Sequence, residues 1–238
     1  MTSSTFRRGP RAPSITLGPL STVRYTVNGV DFDMVRVPPG RFIDGEGRTR
    51  RELLVSRPFE LGVTPVTQAL WRAVMGSSPS RFSGEDRPVE QVSWDYAQQL
   101  MVALAKCGLT GFRLPTEAEW AWAARCGAPT RWVGADRAKA VAVTGSSQTA
   151  AVAGLSSSVV GTFDLSGNVF GWVGDVEGYE ETPSAGVDRQ GSVSGSRRVY
   201  RGGGWGRAPQ DARGAFRGTS APGIRESNLG VRLARTSP

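Results

Sequence analysis

Glycine and proline interrupt this chain so often that it cannot be built from a few long elements: 238 residues carry 31 glycines and 15 prolines. Each is a break or a turn, so the expected product is a loop-rich globule of short helices and strands. Hydrophobic residues at 39% and charged residues at 21% still suffice for one substantial core, and this length favours a single domain. Residues 1–22 mix Ser, Thr, Pro, Gly and Arg without periodicity and read as a flexible tail. The folded domain is therefore expected over 23–238.

Between the breaks the patterns are specific. Val23 to Val27 and Val30 to Val37 flank Asn28-Gly29, which suits a type I′ hairpin because both residues tolerate positive φ. Phe42 to Gly45 reads as a further short strand. Thr67 is placed to cap a helix running to Met75, with Leu70, Trp71 and Val74 on its apolar face and Gly76 as its stop. Ser93 is placed to cap a longer helix carrying Trp94, Ala97, Leu100, Met101 and Leu104, ended by Gly108. Thr116 and Glu119 form a capping box after Pro115 for a third helix, to Arg125. These apolar stripes read as core. Beyond Gly127 helical periodicity is lost. Ala138 to Ser158 reads as short strands or irregular loop, Asp164 to Val169 as a turn leading into Trp172, and Glu177 to Arg197 as a mobile polar loop. Val199 to Arg201 and Leu229 to Ala234 read as strands bracketing a Gly-rich stretch.

Several chemistries are excluded by what the chain lacks. With no histidine there is no Ser-His-Asp triad, no Cys-His pair and no zinc site with nitrogen ligands. The two cysteines, Cys107 and Cys126, are too few for a disulfide scaffold and are read as buried thiols, each closing a helix. The net charge of +8 raises nucleic-acid binding as a possibility. The nine arginines between Arg197 and Arg235, however, stand singly among small and apolar residues, so nucleic acid is not the favoured partner. Arginine supplies 27 of the 29 cations, a bias that points to a GC-rich genome and a heat-adapted, thermophile source. Met1 to Arg11 has no apolar segment behind its basic residues and no run approaches membrane-spanning length, so the expectation is a soluble product without a signal peptide.

Five segments in order carry a family resemblance: Pro88 to Trp94, Arg113 to Trp120, Asp164 to Val169, Tyr200-Arg201-Gly202-Gly203-Gly204-Trp205, and Asn228 to Leu233. Together they resemble the landmarks of the formylglycine-generating enzyme family, also called the sulfatase-modifying-factor domain, over roughly Val23 to Arg235. The resemblance implies an α+β, C-type lectin-like fold of the formylglycine-generating-enzyme subtype, with short helices and strands and much irregular structure. The enzymes of that family use copper-binding cysteines late in the chain, where Trp205 to Arg235 here holds none. The related sulfoxide synthases need iron on histidines. The resemblance thus implies a protein without these cofactors and without catalytic residues.

A third branch fits better. The variable proteins of diversity-generating retroelements share this fold, and adenine-directed mutagenesis rewrites chosen codons in their C-terminal region, commonly AAC. By that resemblance 199–235 is the variable region of a ligand-binding display protein. Arg201, Trp205, Arg213, Phe216, Arg217 and Arg225 resemble fixed scaffold, and Asn228 is scaffold or an unaltered template residue. The interleaved, variable positions are Gly204, Gly206, Arg207, Ala208, Asp211, Gly214, Gly218, Thr219, Ser220, Ala221, Ile224, Glu226 and Ser227. Changing the first two bases of AAC reaches every type in that set except Glu, so Glu226 departs from the pattern. Outward-pointing side chains on a backbone fixed by others would bind a protein or other macromolecular surface with little ordering cost. The alternative is a catalytically inactive relative serving as a structural or accessory module.

Two blander readings stand beside these. Gly202 to Gly206 is also what a plain tight turn looks like. Asp164, Asn168, Asp175 and Glu177 have oxygen ligands for calcium, yet their spacing matches no EF-hand and a solvated acidic loop is the favoured reading.

Overall fold

The computed structural model describes residues 20–45, 50–126, 130–177, 186–188 and 195–236. The expected tail, 1–22, lies almost wholly outside these, and Thr22 already belongs to a strand. The first hairpin forms as the sequence requires: β1 (Thr22–Val27) pairs antiparallel with β2 (Val30–Val37), with φ of 47° at Asn28 and 81° at Gly29. Positive φ at both turn residues matches the right-handed twist of the flanking strands.

That hairpin is one side of a five-stranded sheet ordered β1-β2-β5-β14-β6, with β5 at Phe59–Gly62, β6 at Phe112–Arg113 and β14 at Ala234–Thr236. The C-terminal strand thus lies between β5 and β6, antiparallel to both. A second sheet is ordered β10-β4-β3, from β3 (Gly40–Asp44), β4 (Arg51–Val55) and β10 (Gly186–Val187). β7 (Ala142–Val143) pairs with β8 (Ser166–Gly167). The fourth sheet, β12-β11-β9-β13, comprises β9 (Phe170–Val176), β11 (Arg198–Arg201), β12 (Arg217–Ser220) and β13 (Leu229–Gly230).

The helices start where the capping residues stand. In α1 (Gln68–Met75) the Thr67 hydroxyl accepts from Leu70 N–H, and Gly76, at φ 82°, closes the end. In α2 (Trp94–Lys106) the Ser93 hydroxyl accepts from Tyr96 N–H at 3.1 Å. In α3 (Glu117–Arg125) Thr116 and Glu119 exchange bonds of 3.1 and 2.8 Å in a complete capping box. Caps of this kind contribute about 1 kcal/mol each. Two apolar clusters form the core. One places Trp120 and Trp122 of α3 against β2–β5, and the other gathers α1, α2 and Trp172 of β9. Gln68 is buried by necessity. Its amide donates to the carbonyls of Phe82 and Pro88 and accepts from Gly84 N–H, fixing the loop before α2.

Several expectations need correction. Cys107 is exposed, because it caps α2 on its solvent end; only Cys126 is buried, and both thiols are free. Ala138–Val141 forms a single helical turn, α4, before β7. Leu229 to Ala234 is not one strand. Its ends join different sheets as β13 and β14, because the chain crosses the core between them with Val231, Arg232 and Leu233 buried. β12 was not expected, since Arg217-Gly218-Thr219-Ser220 has no apolar alternation. Of the polar loop from Glu177 to Arg197, Gly186–Val187 is a strand edge, while 178–185 and 189–194 lie outside the described residues. Among the described residues no helix is long and apolar enough to cross a membrane.

Candidate ligand-display face

The C-terminal segment leaves β11, makes a turn through Gly202 to Gly204 and a 3-10 turn at Pro209–Ala212, and returns as edge strand β12 before looping to β13. Gly203 makes this path possible. Its φ is 90°, and a Cβ there would lie 2.6 Å from Ala212 Cα.

Beneath the turn lies an ionic floor. Arg201 is 2% exposed; its guanidinium donates to Glu117 at 2.7 Å and to Asp44 at 3.4 Å, and stacks over Trp120 at 4.9 Å. It also donates to the Gly214 carbonyl at 2.9 Å, tying the far side of the loop to its root. Arg217, from β12, reaches the same Glu117 carboxylate at 2.9 and 3.1 Å. Burial alone would raise the Asp44 carboxyl, but the guanidiniums of Arg201, Arg51 and Arg125 overcome it and hold it below its ordinary value. Part of the basic surplus noted in this segment is thus internal structure: Arg232 is also buried, donating to the Gly62 and Phe163 carbonyls, and burial pulls its pKa down to about 10.

The rest of the loop backbone is held from outside. Gly145 N–H donates to Arg207 O and Ser146 N–H to Trp205 O; Gln91 N–H donates to Glu226 O and Asp95 N–H to Pro222 O. Trp132 Nε1–H donates to Pro209 O at 2.8 Å, and Gly214 N–H to Arg131 O. Trp205 packs edge-on against Phe82 at 5.3 Å while its indole N–H caps Ser227 O. None of these contacts uses a side chain of the interleaved set.

Those positions divide by environment. Gly206, Arg207, Ala208, Ala221, Ile224 and Glu226 are exposed; Asp211, Gly218, Thr219, Ser220 and Ser227 are partly buried. Gly204 and Gly214 are buried, which corrects the expectation that the whole set points outward. A Cβ at 204 would stand 2.8 Å from Asn228 Cβ. Among the scaffold residues, Arg225 is exposed and stacks on Tyr96 at 4.7 Å, Arg213 donates to Gln210 O at 3.0 Å, and Phe216 packs at 5.7 Å from Phe170. Sequence reading missed the clamping segments around Trp132, Gly145 and Gln91, because backbone donors, and an indole whose acceptor is a distant carbonyl, leave no mark in residue type.

The acidic group is not a solvated loop. Asp164 and Asn168 are buried; Asp164 accepts from Ala153 N–H at 2.8 Å, and Asn168 exchanges bonds with Ala150. Asp175 accepts from Glu117 N–H at 2.6 Å, and Glu177 pairs with Arg197. They organise the turn into β9 and the edge of β12. No group of three or more His, Cys, Asp or Glu among the described residues is arranged to hold a metal ion.

Residues 26–237 match the sulfatase-modifying factor enzyme 1-like domain, so the chain belongs to that family, with its C-type lectin-like α+β fold. The chain is similar to variable protein 1 of Treponema denticola: 31% identity, TM-score 0.84, covering 91% of this chain and 99% of that one. It is 27% identical to the chaperone protein LppX of Paenibacillus barcinonensis, over 74% of this chain and 79% of that protein. It is 29% identical to the formylglycine-generating enzyme of Mus musculus, over 71% of this chain and 50% of the enzyme. The chain spans only 38% of the length of three other curated relatives.

Proposed function

We propose that this domain is a ligand-binding display protein whose segment 199–235 presents a variable, solvent-exposed surface on a fixed scaffold, diversified by adenine-directed retroelement mutagenesis. The observation that carries the reading is the division of labour in that segment: its backbone is anchored by bonds from Gln91, Asp95, Trp132, Gly145 and Ser146, while exposed side chains at 206, 207, 208, 221, 224 and 226 carry none of that load. Such a surface tolerates replacement of its side chains without changing their presentation. The likeness to a Treponema denticola variable protein supports it. A non-catalytic role agrees with the residues: Trp205 to Arg235 has no cysteine and the chain has no histidine, so a copper or iron centre of the kind the family's enzymes use has no ligands there. The partner is a protein or other macromolecular surface.

The test is the DNA flanking the gene. A near repeat of the coding stretch for 199–235, differing almost only where it carries adenine, beside a reverse transcriptase gene, is the expected result. Absence of both overturns the retroelement reading.

A further inference from the structure

Tyr200 belongs neither to the variable positions nor to the scaffold residues identified above, yet it pairs with one of those positions, Gly218, and lies within electrostatic range of two others, Arg207 and Glu226. On β11 it is the cross-strand partner of Gly218 on edge strand β12. Its ring stands edge-on to Phe170 at 4.9 Å and to Trp172 at 5.7 Å, a wall of packed aromatics on its inner side. On the outer side it lies across Gly218. A Cβ at 218 would stand 2.2 Å from ring Cε2, 2.4 Å from Cζ and 2.7 Å from the hydroxyl oxygen. The tyrosine therefore fills the space that the side chain of its neighbour would take, as aromatics do over glycine in edge strands.

The hydroxyl end is not spent on the fold. Tyr200 is partly exposed and no hydrogen bond to its hydroxyl forms among the described residues. Arg207 and Glu226, both exposed and both in the variable set, lie within electrostatic range of it, as does Arg197. Burial and the Glu226 carboxylate hold the phenol above its ordinary pKa, against the two guanidiniums, so it stays a neutral donor.

We propose that Tyr200 is a fixed aromatic anchor of the display face and that the residue at 218 sets its pose, and with it how much of the ring and hydroxyl that face presents. With glycine at 218 the ring lies flush across β12. Any larger residue meets the ring, and with Phe170 and Trp172 packed on its inner side the ring turns outward. One variable codon thus controls two side chains of the surface. The inference rests on the display reading for its function, but the pose coupling stands or falls separately.

The experiment uses the full chain labelled with 3-fluorotyrosine, the Tyr200 resonance being assigned by its loss in Y200F. In G218A and G218V that resonance shifts, and its relaxation by a soluble gadolinium chelate rises several-fold over wild type, while G206A and R41A leave it unchanged. In a double-mutant cycle, G218V costs less stability in the Y200A background than in wild type. An unmoved, unexposed Tyr200 in folded G218A or G218V overturns the proposal, as does an equal stability cost of G218V with and without Tyr200. Absence of a retroelement repeat beside the gene would leave these outcomes untouched.

Discussion

Arg201 donates to Glu117 at 2.7 Å with both side chains withdrawn from solvent, and Arg217 of the neighbouring strand shares that carboxylate. The root of the display loop and its returning strand therefore close on one acidic side chain. Removing a partner from such a buried arrangement strands the others without compensation. R201M is expected to cost about 3–5 kcal/mol in denaturant unfolding. R41A, at an exposed pair with Glu52, should leave the midpoint unmoved.

Acid should reveal the same network. Asp44 has a depressed folded pKa, so the stability it contributes is present above the ordinary carboxylate range and is lost as pH falls through its folded value. Asp164 and Glu90, raised chiefly by burial, act oppositely and gain on acidification. The urea midpoint of D44N should fall below wild type at pH 7, with the gap closing as pH drops below about 4.

The two thiols should separate cleanly. Burial pushes the Cys126 thiol up to about 12, leaving a thiolate fraction on the order of 10⁻⁴ at pH 8, whereas Cys107 is exposed. An aromatic disulfide reagent should titrate one thiol in the native protein and a second only after denaturation. Two fast equivalents would show that α3 opens at its C-terminal end.

Position 204 and position 206 should behave as opposites. G204V drives a side chain into Asn228 and is expected to lose about 1–3 kcal/mol, whereas nothing lies within 4 Å of a Cβ at 206. Melting temperatures of the two variants decide it, and equal loss would mean that the turn, not the packing, is limiting.

How much of this was legible beforehand follows from where the information sits. Thr67, Ser93 and Thr116 announced their helices because caps are local chemistry, and Asn28-Gly29 announced its hairpin for the same reason. β12 was silent, since Arg217 to Ser220 is held by pairing with β11 and by Glu117, a hundred residues away in the case of Arg217. The burial of Gly204 was equally hidden. A glycine required by a neighbour's Cβ and one left open to solvent are spelled alike.

The position of β14 has a consequence for biogenesis. Ala234–Thr236 fills the gap between β5 and β6, joining strands formed from residues 59–62 and 112–113. Until that strand is made and free to pair, the first sheet has an unfilled slot between β5 and β6. Closing this sheet therefore waits on long-range pairing, the slow kind of step in folding. A chain cut between Arg201 and Ala234 would keep the root of the loop but lack the strand that completes the first sheet.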